Sequence, residues 1–253
     1  MTDGNMMAGK LAFVSGSATG IGKASALAFA REGAALALAD LDVDRGEALA
    51  AEIRSSGGDA RFYRTDMTDE AALDRLFAAI AGDLGGLDYA HNNVGFSWGS
   101  DFLGTDSAGL DRTLNLCLRS PFLAMQRQIP LMQARGGGAI VNTASMAGVR
   151  YFAAANAAYS AAKAGVIQLT KWTAAHHAGD NIRVNAISPG LVATEAVEKF
   201  MTPEEQAAHA SATQPIGRPV TVDEIAAAAV FLCSDAAGMI TGENVCVSGG
   251  SQI

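Results

Sequence analysis

Short apolar segments alternate along the whole chain with longer segments in which apolar residues recur every three or four positions. The short segments are typical of buried strands, and the longer ones of helices that pack through one face. We predict strands over residues 11–14, 35–39, 61–64, 89–92, 139–143, 183–187 and 245–247. We predict helices over residues 21–31, 43–54, 70–81, 107–132, 157–176 and 223–233. This alternation predicts a single α/β domain over residues 1–253, a doubly wound parallel sheet of about seven strands flanked by helices, Rossmann-like in topology.

One long segment, over residues 195–214, departs from the alternation. It contains Pro203 and follows directly on the end of a predicted strand. Long insertions over the carboxyl ends of parallel strands commonly close over bound ligands. We therefore predict a substrate lid at residues 195–214.

The composition narrows the function classes. With 49% hydrophobic and 17% charged residues, the chain is globular and not disordered. A net charge of −8 makes nucleic acid and anionic membranes poor partners. The apolar stretch over residues 225–233 is too short to span a bilayer, and no signal peptide precedes the first strand, so we expect a cytoplasmic protein. The three cysteines lack CxxC spacing, and His176 and His177 have no third ligand, so we expect no metal site.

A glycine-rich turn follows the first predicted strand, with glycine at positions 16, 20 and 22. Glycines there let backbone N–H groups at a helix N-terminus approach a pyrophosphate. Asp40 ends the second strand, at about the offset expected for an acid that binds ribose hydroxyls. Its carboxylate would repel a 2′-phosphate, and no basic residue lies in the turn or directly after Asp40. The sequence therefore favours NAD over NADP.

Tyr159 and Lys163 are four residues apart on a predicted helix, so their side chains project from the same face. A free phenol has a pKa of about 10 and is a poor base near neutral pH. A neighbouring cation favours the phenolate, which makes the pair a candidate acid/base. Alone, such a pair also arises by chance on helices.

Several motifs in register make the pattern specific. The glycine turn, Asn92-Asn93-Val94-Gly95, Asn115, Ser145, the Tyr159/Lys163 pair, Pro189-Gly190 and Thr194 occur in an order and spacing that resembles the short-chain dehydrogenase/reductase family. The resemblance implies that Tyr159 exchanges a proton with the substrate oxygen while hydride passes to or from a nicotinamide ring. It also implies that Lys163 lowers the pKa of Tyr159, that Ser145 stabilises the reacting oxygen, and that Asn115 seats a water linking Lys163 to solvent.

The same resemblance implies a set of cofactor contacts. Asp66 would bind the adenine amine, Asn93 would line the adenosine side, and Thr194 would bind the nicotinamide carboxamide. The expected cofactor-binding residues are Gly16, Ser17, Thr19, Gly20, Ile21, Gly22, Asp40, Asp66, Met67, Asn93, Tyr159, Lys163, Pro189, Gly190, Val192 and Thr194. Relatives assemble through the two long helices, which makes a homotetramer the expected assembly.

Apolar side chains near the predicted strand ends suggest a hydrophobic substrate. The candidates for its pocket are Phe96, Trp98, Val149, Tyr151, Phe152, Val197, Phe200 and Met201; the alternative is that the aromatic residues among them form core or subunit contacts. The leading interpretation is an NAD-dependent alcohol dehydrogenase or carbonyl reductase acting on a hydrophobic secondary alcohol and its ketone. One alternative is an NADPH-dependent 3-oxoacyl thioester reductase, which Asp40 disfavours. The other is a non-catalytic nucleotide-binding protein, which the presence of Tyr159, Lys163 and Ser145 disfavours.

Overall fold

A computed structural model describes residues 5–98, 101–152 and 155–252. All the strands predicted from the sequence are present, most of them extended by one to three residues. The strands are β1 (Leu11–Ser15), β2 (Ala35–Asp40), β3 (Ala60–Arg64), β4 (Tyr89–Asn92), β5 (Gly138–Thr143), β6 (Ile182–Pro189) and β7 (Asn244–Val247). They form one parallel sheet in the order β3-β2-β1-β4-β5-β6-β7, which confirms the predicted single-domain, doubly wound fold.

The helices cover both faces of this sheet. They are α1 (Gly20–Arg31), α2 (Val43–Ser55), α3 (Glu70–Leu84), α4 (Ser107–Leu114), α5 (Ser120–Ala134), α6 (Ala157–His177), α7 (Glu195–Glu198), α8 (Pro203–Thr213) and α9 (Val222–Cys233). One core joins α1, α2 and α9 to the sheet, with Phe29 and Ile225 at its centre. The other joins α3 and α5 to the opposite face, with Phe13 and Phe77 in contact.

The strand order reverses between β1 and β4. The chain builds β2 and β3 on one side of β1 and then crosses to place β4 on the other side. Loops leaving β1 and β4 therefore diverge and open a crevice at the carboxyl edge of the sheet, which is where doubly wound folds bind ligands. The chain positions that follow β1 to β6 all meet at this edge.

The helix predicted over residues 107–132 is interrupted. A π-helical turn at Asn115–Arg119 separates α4 from α5, and the Ser120 N–H donates to the Asn115 carbonyl five residues back. Pro121 follows at the start of α5 and has no N–H to continue the α-helical ladder. Single π turns of this kind recur at functional sites, and this one faces the crevice.

The segment predicted as a lid folds into α7 and α8. Its two ends are joined by a parallel bridge between Val192 and Val220. Gln214, at the end of α8, accepts from the Leu191 N–H at 2.6 Å and donates to the Arg218 carbonyl at 2.6 Å. These contacts fasten the insertion to the sheet at its base, and His209 of α8 also contacts the Phe152 ring, with the ring centres 5.8 Å apart. No helix among residues 5–98, 101–152 and 155–252 has the length and apolarity needed to cross a membrane.

Candidate active site

A cleft of about 480 Å³ opens at the carboxyl edge of the sheet, at the strand reversal. Its walls are made by the loops after β1 to β6 and by the first residues of α7. Predicted cofactor residues on the wall are Gly16, Thr19, Gly20, Ile21, Asp40, Asp66, Met67, Asn93, Tyr159, Lys163, Pro189, Gly190, Val192 and Thr194. Ser145 also lines it.

The turn after β1 brings backbone to the cleft floor. Gly16 and Gly20 have φ angles of +64° and +52°, which side chains rarely adopt. A Cβ on Gly22 would lie 1.9 Å from the Gly16 carbonyl oxygen, so the turn and the first turn of α1 are in direct backbone contact. Helix α1 begins with no side-chain cap on its N-terminal N–H groups, which leaves them free to bind an anion.

Two predicted members of the turn lie beneath it and not on the cleft wall. Ser17 has no exposed surface, and its hydroxyl donates to the Ala39 carbonyl at 3.4 Å. Gly22 is buried against Gly16. Both residues support the conformation of the turn from the side that faces away from the cleft.

Asp40 ties the second strand to the glycine turn. One carboxylate oxygen accepts from the Ala18 N–H at 2.9 Å, and the other accepts from the Asp42 N–H at 3.1 Å. Arg45, the basic residue in the first turn of the following helix, is paired with Glu195 at 2.9 Å and with Asp42 at 3.7 Å. The negative charge of Asp40 at the cleft therefore has no basic side chain bonded to it among the described residues.

The Tyr159/Lys163 pair lies at the start of α6. Asn156 caps this helix by accepting from the Tyr159 N–H at 2.9 Å, which fixes Tyr159 in the first turn. Lys163 is 2% exposed, and its Nζ donates to the Thr143 carbonyl at 2.6 Å. The same Nζ lies 5.6 Å from the centre of the Tyr159 ring. The one-face arrangement predicted from the spacing is therefore present.

Burial dominates the electrostatics of this pair. It raises the pKa of Tyr159 above its usual value, and a hydrogen bond with Ser145 partly offsets the rise. Burial also lowers the pKa of Lys163. Desolvation of the phenolate is therefore the largest effect on the pKa of Tyr159 in this structure, and the lowering of that pKa by Lys163 stays a prediction.

Asn115 does not reach the cleft wall. Its side-chain oxygen accepts instead from Arg119 at 3.3 Å. The residue of the π turn that lies next to Lys163 is Cys117, which has no exposed surface and whose thiol donates to the Phe96 carbonyl at 3.0 Å. No sequence signal marked Cys117, because a buried thiol on a helix resembles ordinary core packing.

The predicted pocket residues divide into two groups. Phe96 and Phe152 line the cleft. Tyr151 and Phe200 are 86% and 75% exposed, and neither they nor Trp98 and Met201 form part of its wall. Val197, also predicted, lines the cleft as well. Apolar residues that line the cleft and were predicted neither for the pocket nor for the cofactor are Leu41, Val94, Leu116, Ala144, Leu191 and Ala196.

Comparison with known proteins decides the family. The family model described as enoyl-(acyl carrier protein) reductase matches residues 16–252. A D-threitol dehydrogenase of Mycolicibacterium smegmatis is 39% identical over 245 residues, covering 97% of this chain and 94% of that protein. The chain belongs to the short-chain dehydrogenase/reductase family.

Two further members of the short-chain dehydrogenase/reductase family show its range. A 3-oxoacyl-[acyl-carrier-protein] reductase of Thermotoga maritima is 33% identical, covering 97% of this chain and 98% of that one. A solved 7α-hydroxysteroid dehydrogenase, in complex with NADH and 7-oxo glycochenodeoxycholic acid, is 34% identical with a TM-score of 0.92, covering 99% of this chain and 97% of that one. The protein is therefore an oxidoreductase of a family that uses nicotinamide cofactors.

The residues of this short-chain dehydrogenase/reductase fit such a cofactor. The uncapped N-terminus of α1 and the close backbone contact at Gly22 form a cradle for a pyrophosphate. Thr194 packs against this turn, with its methyl group 3.6 Å from where a Cβ on Gly20 would lie.

Proposed function

We propose that the protein is an NAD-dependent oxidoreductase that interconverts a hydrophobic secondary alcohol and its ketone. The observation that carries the proposal is the meeting of Tyr159, Ser145 and Lys163 on the wall of one cleft that also holds the glycine turn and Asp40. A dinucleotide on that turn and a substrate oxygen at Tyr159 would share this cleft.

The proposed chemistry divides among the three side chains. Tyr159 donates a proton to the reacting oxygen during ketone reduction and accepts one during alcohol oxidation. The Ser145 hydroxyl, which bonds Tyr159 in the structure, would turn its one proton to that oxygen when substrate binds and stabilise its developing charge. Lys163 adds a fixed positive charge that favours the phenolate. When bound, the nicotinamide ring supplies or accepts the hydride.

Most of the cleft lining outside the expected cofactor-binding residues is apolar, with Glu195, which is paired with Arg45, as a charged exception. Phe96, Leu116, Phe152, Ala196 and Val197 carry no polar side-chain group. Such a wall stabilises a bound hydrocarbon ring or chain, whereas a charged group of a substrate would find no partner on it. The relative acting on a steroid ketone is consistent with this class.

A 3-oxoacyl thioester reductase is the second candidate, because the matching family model and the Thermotoga relative carry acyl carrier protein in their descriptions. Two observations disfavour it. If Asp40 binds the ribose hydroxyls as proposed, its carboxylate would repel the 2′-phosphate of NADPH. The net charge of −8 would repel an acidic carrier protein.

A substrate panel followed by NADH and NADPH absorbance in both directions tests these candidates. The panel includes cyclic and aliphatic secondary alcohols, polyols, and a 3-oxoacyl thioester with its carrier protein. We expect turnover of apolar alcohols with NAD. Exclusive use of NADPH with the thioester would replace the proposal by the second candidate, and tight NAD binding without turnover of any alcohol or ketone would favour a non-catalytic role.

Removing the charge of Asp40 should weaken the preference for NAD. A carboxylate about 4 Å from a phosphate contributes repulsion on the order of 4 kcal/mol at a protein surface, so Asp40→Asn should narrow the NAD/NADP ratio of kcat/KM at least about tenfold. Asn keeps an acceptor for the Ala18 N–H, so the turn stays anchored. Asp42→Asn, two residues further along, is the matched control and should leave the ratio unchanged. A ratio unaltered in Asp40→Asn would refute the role of Asp40.

Asn115→Ala should leave kcat within about threefold of wild type, because the Asn115 side chain contacts Arg119 and not the cleft. Lys163→Met, by comparison, should reduce kcat by about a hundredfold or more. Steady-state kinetics of the two variants make the comparison. A loss in Asn115→Ala as large as that in Lys163→Met would restore the water-seating role that the family resemblance implies.

The proposed assembly is a homotetramer in which α5 and α6 pack between subunits. An apolar groove between these helices is lined by Phe122, Ile129, Pro130, Leu169 and Trp172, and Trp172 is 57% exposed. Such a surface favours association. Light scattering on the purified chain should give the mass of four subunits.

A further inference from the structure

His91 is a fully buried histidine beneath the cleft. It lies on β4, the central strand at which the sheet order reverses, and has no exposed surface. Its Nε2 is 2.9 Å from the Thr143 hydroxyl, and its Nδ1 has no hydrogen-bond partner among the described residues. Buried polar atoms are nearly always paired, so the unpaired Nδ1 indicates that some other requirement holds this histidine in place.

The neighbouring contacts fix which nitrogen carries the proton. The Thr143 hydroxyl has one proton, and it donates that proton to the Asn93 side-chain oxygen at 3.1 Å. The contact with His91 must then be donated by the Nε2–H. The ring therefore carries a proton on Nε2. Burial and the charge of Lys163 lower the pKa of His91 to about 4, so the Nδ1, which has no partner in the described part of the chain, carries none and the ring is neutral.

The result is a directional chain of hydrogen bonds that ends at the cleft. It runs from the His91 Nε2–H to the Thr143 hydroxyl and from there to the Asn93 carboxamide, whose Nδ2 lies 3.5 Å from the Gly16 carbonyl. Asn93 and Gly16 both line the cleft. Thr143 is also the residue whose main-chain carbonyl holds Lys163.

We propose that His91 is a positioning residue for cofactor binding, which it controls by orienting the Thr143 hydroxyl and, through it, the Asn93 carboxamide. This rests on the function proposed above, since it assigns His91 to the same cofactor cleft. His91 does not line the cleft and makes no hydrogen bond to Tyr159 within the described residues. Its substitution should therefore change cofactor affinity and not proton transfer. Without the Nε2–H the Thr143 hydroxyl is free to rotate, and Asn93 loses its fixed orientation.

Two nearly isosteric substitutions separate the hydrogen bond from the packing. His91→Gln keeps an N–H donor in reach of Thr143, and His91→Met fills similar space without one. We expect the dissociation constant for NAD(H), measured by NADH fluorescence, to rise about tenfold in His91→Met and to stay within about threefold in His91→Gln. Thr143→Val breaks the same chain, so the double variant His91→Met/Thr143→Val should bind no worse than Thr143→Val alone.

Gln128→Met is the matched control for stability. Gln128 is fully buried and pairs with Asn92 on the opposite face of β4, outside the chain of bonds. The Gln128→Met variant should have a lower melting temperature and an unchanged NADH dissociation constant. Equal NADH affinity in His91→Met and wild type, or additive losses in the double variant, would overturn the proposal.

Nitrogen-15 NMR of the ring tests the proton assignment without any need for catalysis. The chain has four histidines, and the signal lost in His91→Gln should show a protonated Nε2 and a bare Nδ1, with no titration above about pH 5. A protonated Nδ1 would overturn the inference while leaving the proposed function untouched. A wild-type chain that binds neither NAD nor NADP would instead overturn the proposed function, and the role proposed for His91 with it.

Discussion

Tyr159→Phe is expected to reduce kcat by about a thousandfold or more while leaving NADH affinity nearly unchanged. Positioned general acid–base groups typically contribute between about a hundred- and ten-thousandfold. The substitution removes only the phenolic oxygen, and the ring keeps its place over Lys163. Single-turnover kinetics under saturating cofactor, combined with fluorescence titration of NADH, measures the two quantities separately.

Tyr63→Phe is the matched control for this experiment. The Tyr63 hydroxyl donates to Asp83 at 3.1 Å, on α3 and away from the cleft, so its loss should leave kcat unchanged. Retention of wild-type kcat in Tyr159→Phe would remove the proton-transfer assignment, and with it the proposed mechanism.

The raised pKa of Tyr159 also sets the expected pH dependence. Burial keeps the phenol protonated, which is the form that ketone reduction requires. Alcohol oxidation requires the phenolate, so its rate should increase from neutral to alkaline pH, and ketone reduction should not. The positive charges of an oxidised nicotinamide and of Lys163 lower the pKa of Tyr159, whereas burial raises it. Together these effects set the pH at which the rate of alcohol oxidation begins to increase.

The fold followed from the sequence because its signals are local and redundant. Each strand is a short apolar run, and segments such as α1 and α9 repeat apolar residues with helical spacing. The strand reversal then follows from the connection rules for parallel sheets, and it brings motifs distant in sequence, such as the glycine turn and Ser145, to one edge.

The structure differs from the sequence predictions where the position of a side chain depends on local helix geometry or on a tertiary contact. The π turn at Asn115–Arg119 interrupts the predicted continuous helix, and Cys117 rather than Asn115 lies beside Lys163. Residues two positions apart point to opposite faces of a helix, and the sequence did not show which of these faces meets Lys163. The chain of hydrogen bonds from His91 depends on contacts between β4, β5 and the glycine turn, and no local sequence pattern predicts these contacts. The pKa of Tyr159 likewise depends on burial, which cannot be predicted from the spacing of Tyr159 and Lys163.

The lid shows a third kind of departure. The sequence predicted an insertion at residues 195–214 and placed its Val197, Phe200 and Met201 in the pocket. In the structure Phe200 projects into solvent, and the wall is made by Ala196 and Val197 at the start of α7. Gln214 and the Val192–Val220 bridge hold the base of the insertion, and Arg45 and Phe152 contact its residues Glu195 and His209. Phe200 would enter the pocket only if the helices of the insertion moved.

Gly22→Ala is expected to abolish useful cofactor binding. The added Cβ would lie 1.9 Å from the Gly16 carbonyl oxygen and 2.7 Å from its carbon. Both are backbone atoms of the turn, which rotamer changes cannot move away. Relief requires α1 to shift off the turn, which moves its N-terminal N–H groups away from the pyrophosphate position.

Overpacking of this kind costs about 3 kcal/mol, and a loss of the same size in cofactor binding is about a hundredfold. NADH fluorescence titration and thermal unfolding together should show an affinity at least about a hundredfold weaker and a lowered melting temperature. Gly82→Ala is the matched control, since Gly82 lies within α3 with nothing within 4 Å of its Cβ position, and alanine there should be neutral or stabilising by about 0.5–1 kcal/mol. Wild-type NADH affinity in Gly22→Ala would mean that the cofactor does not rest on this turn, and the dinucleotide site would have to be sought elsewhere in the cleft.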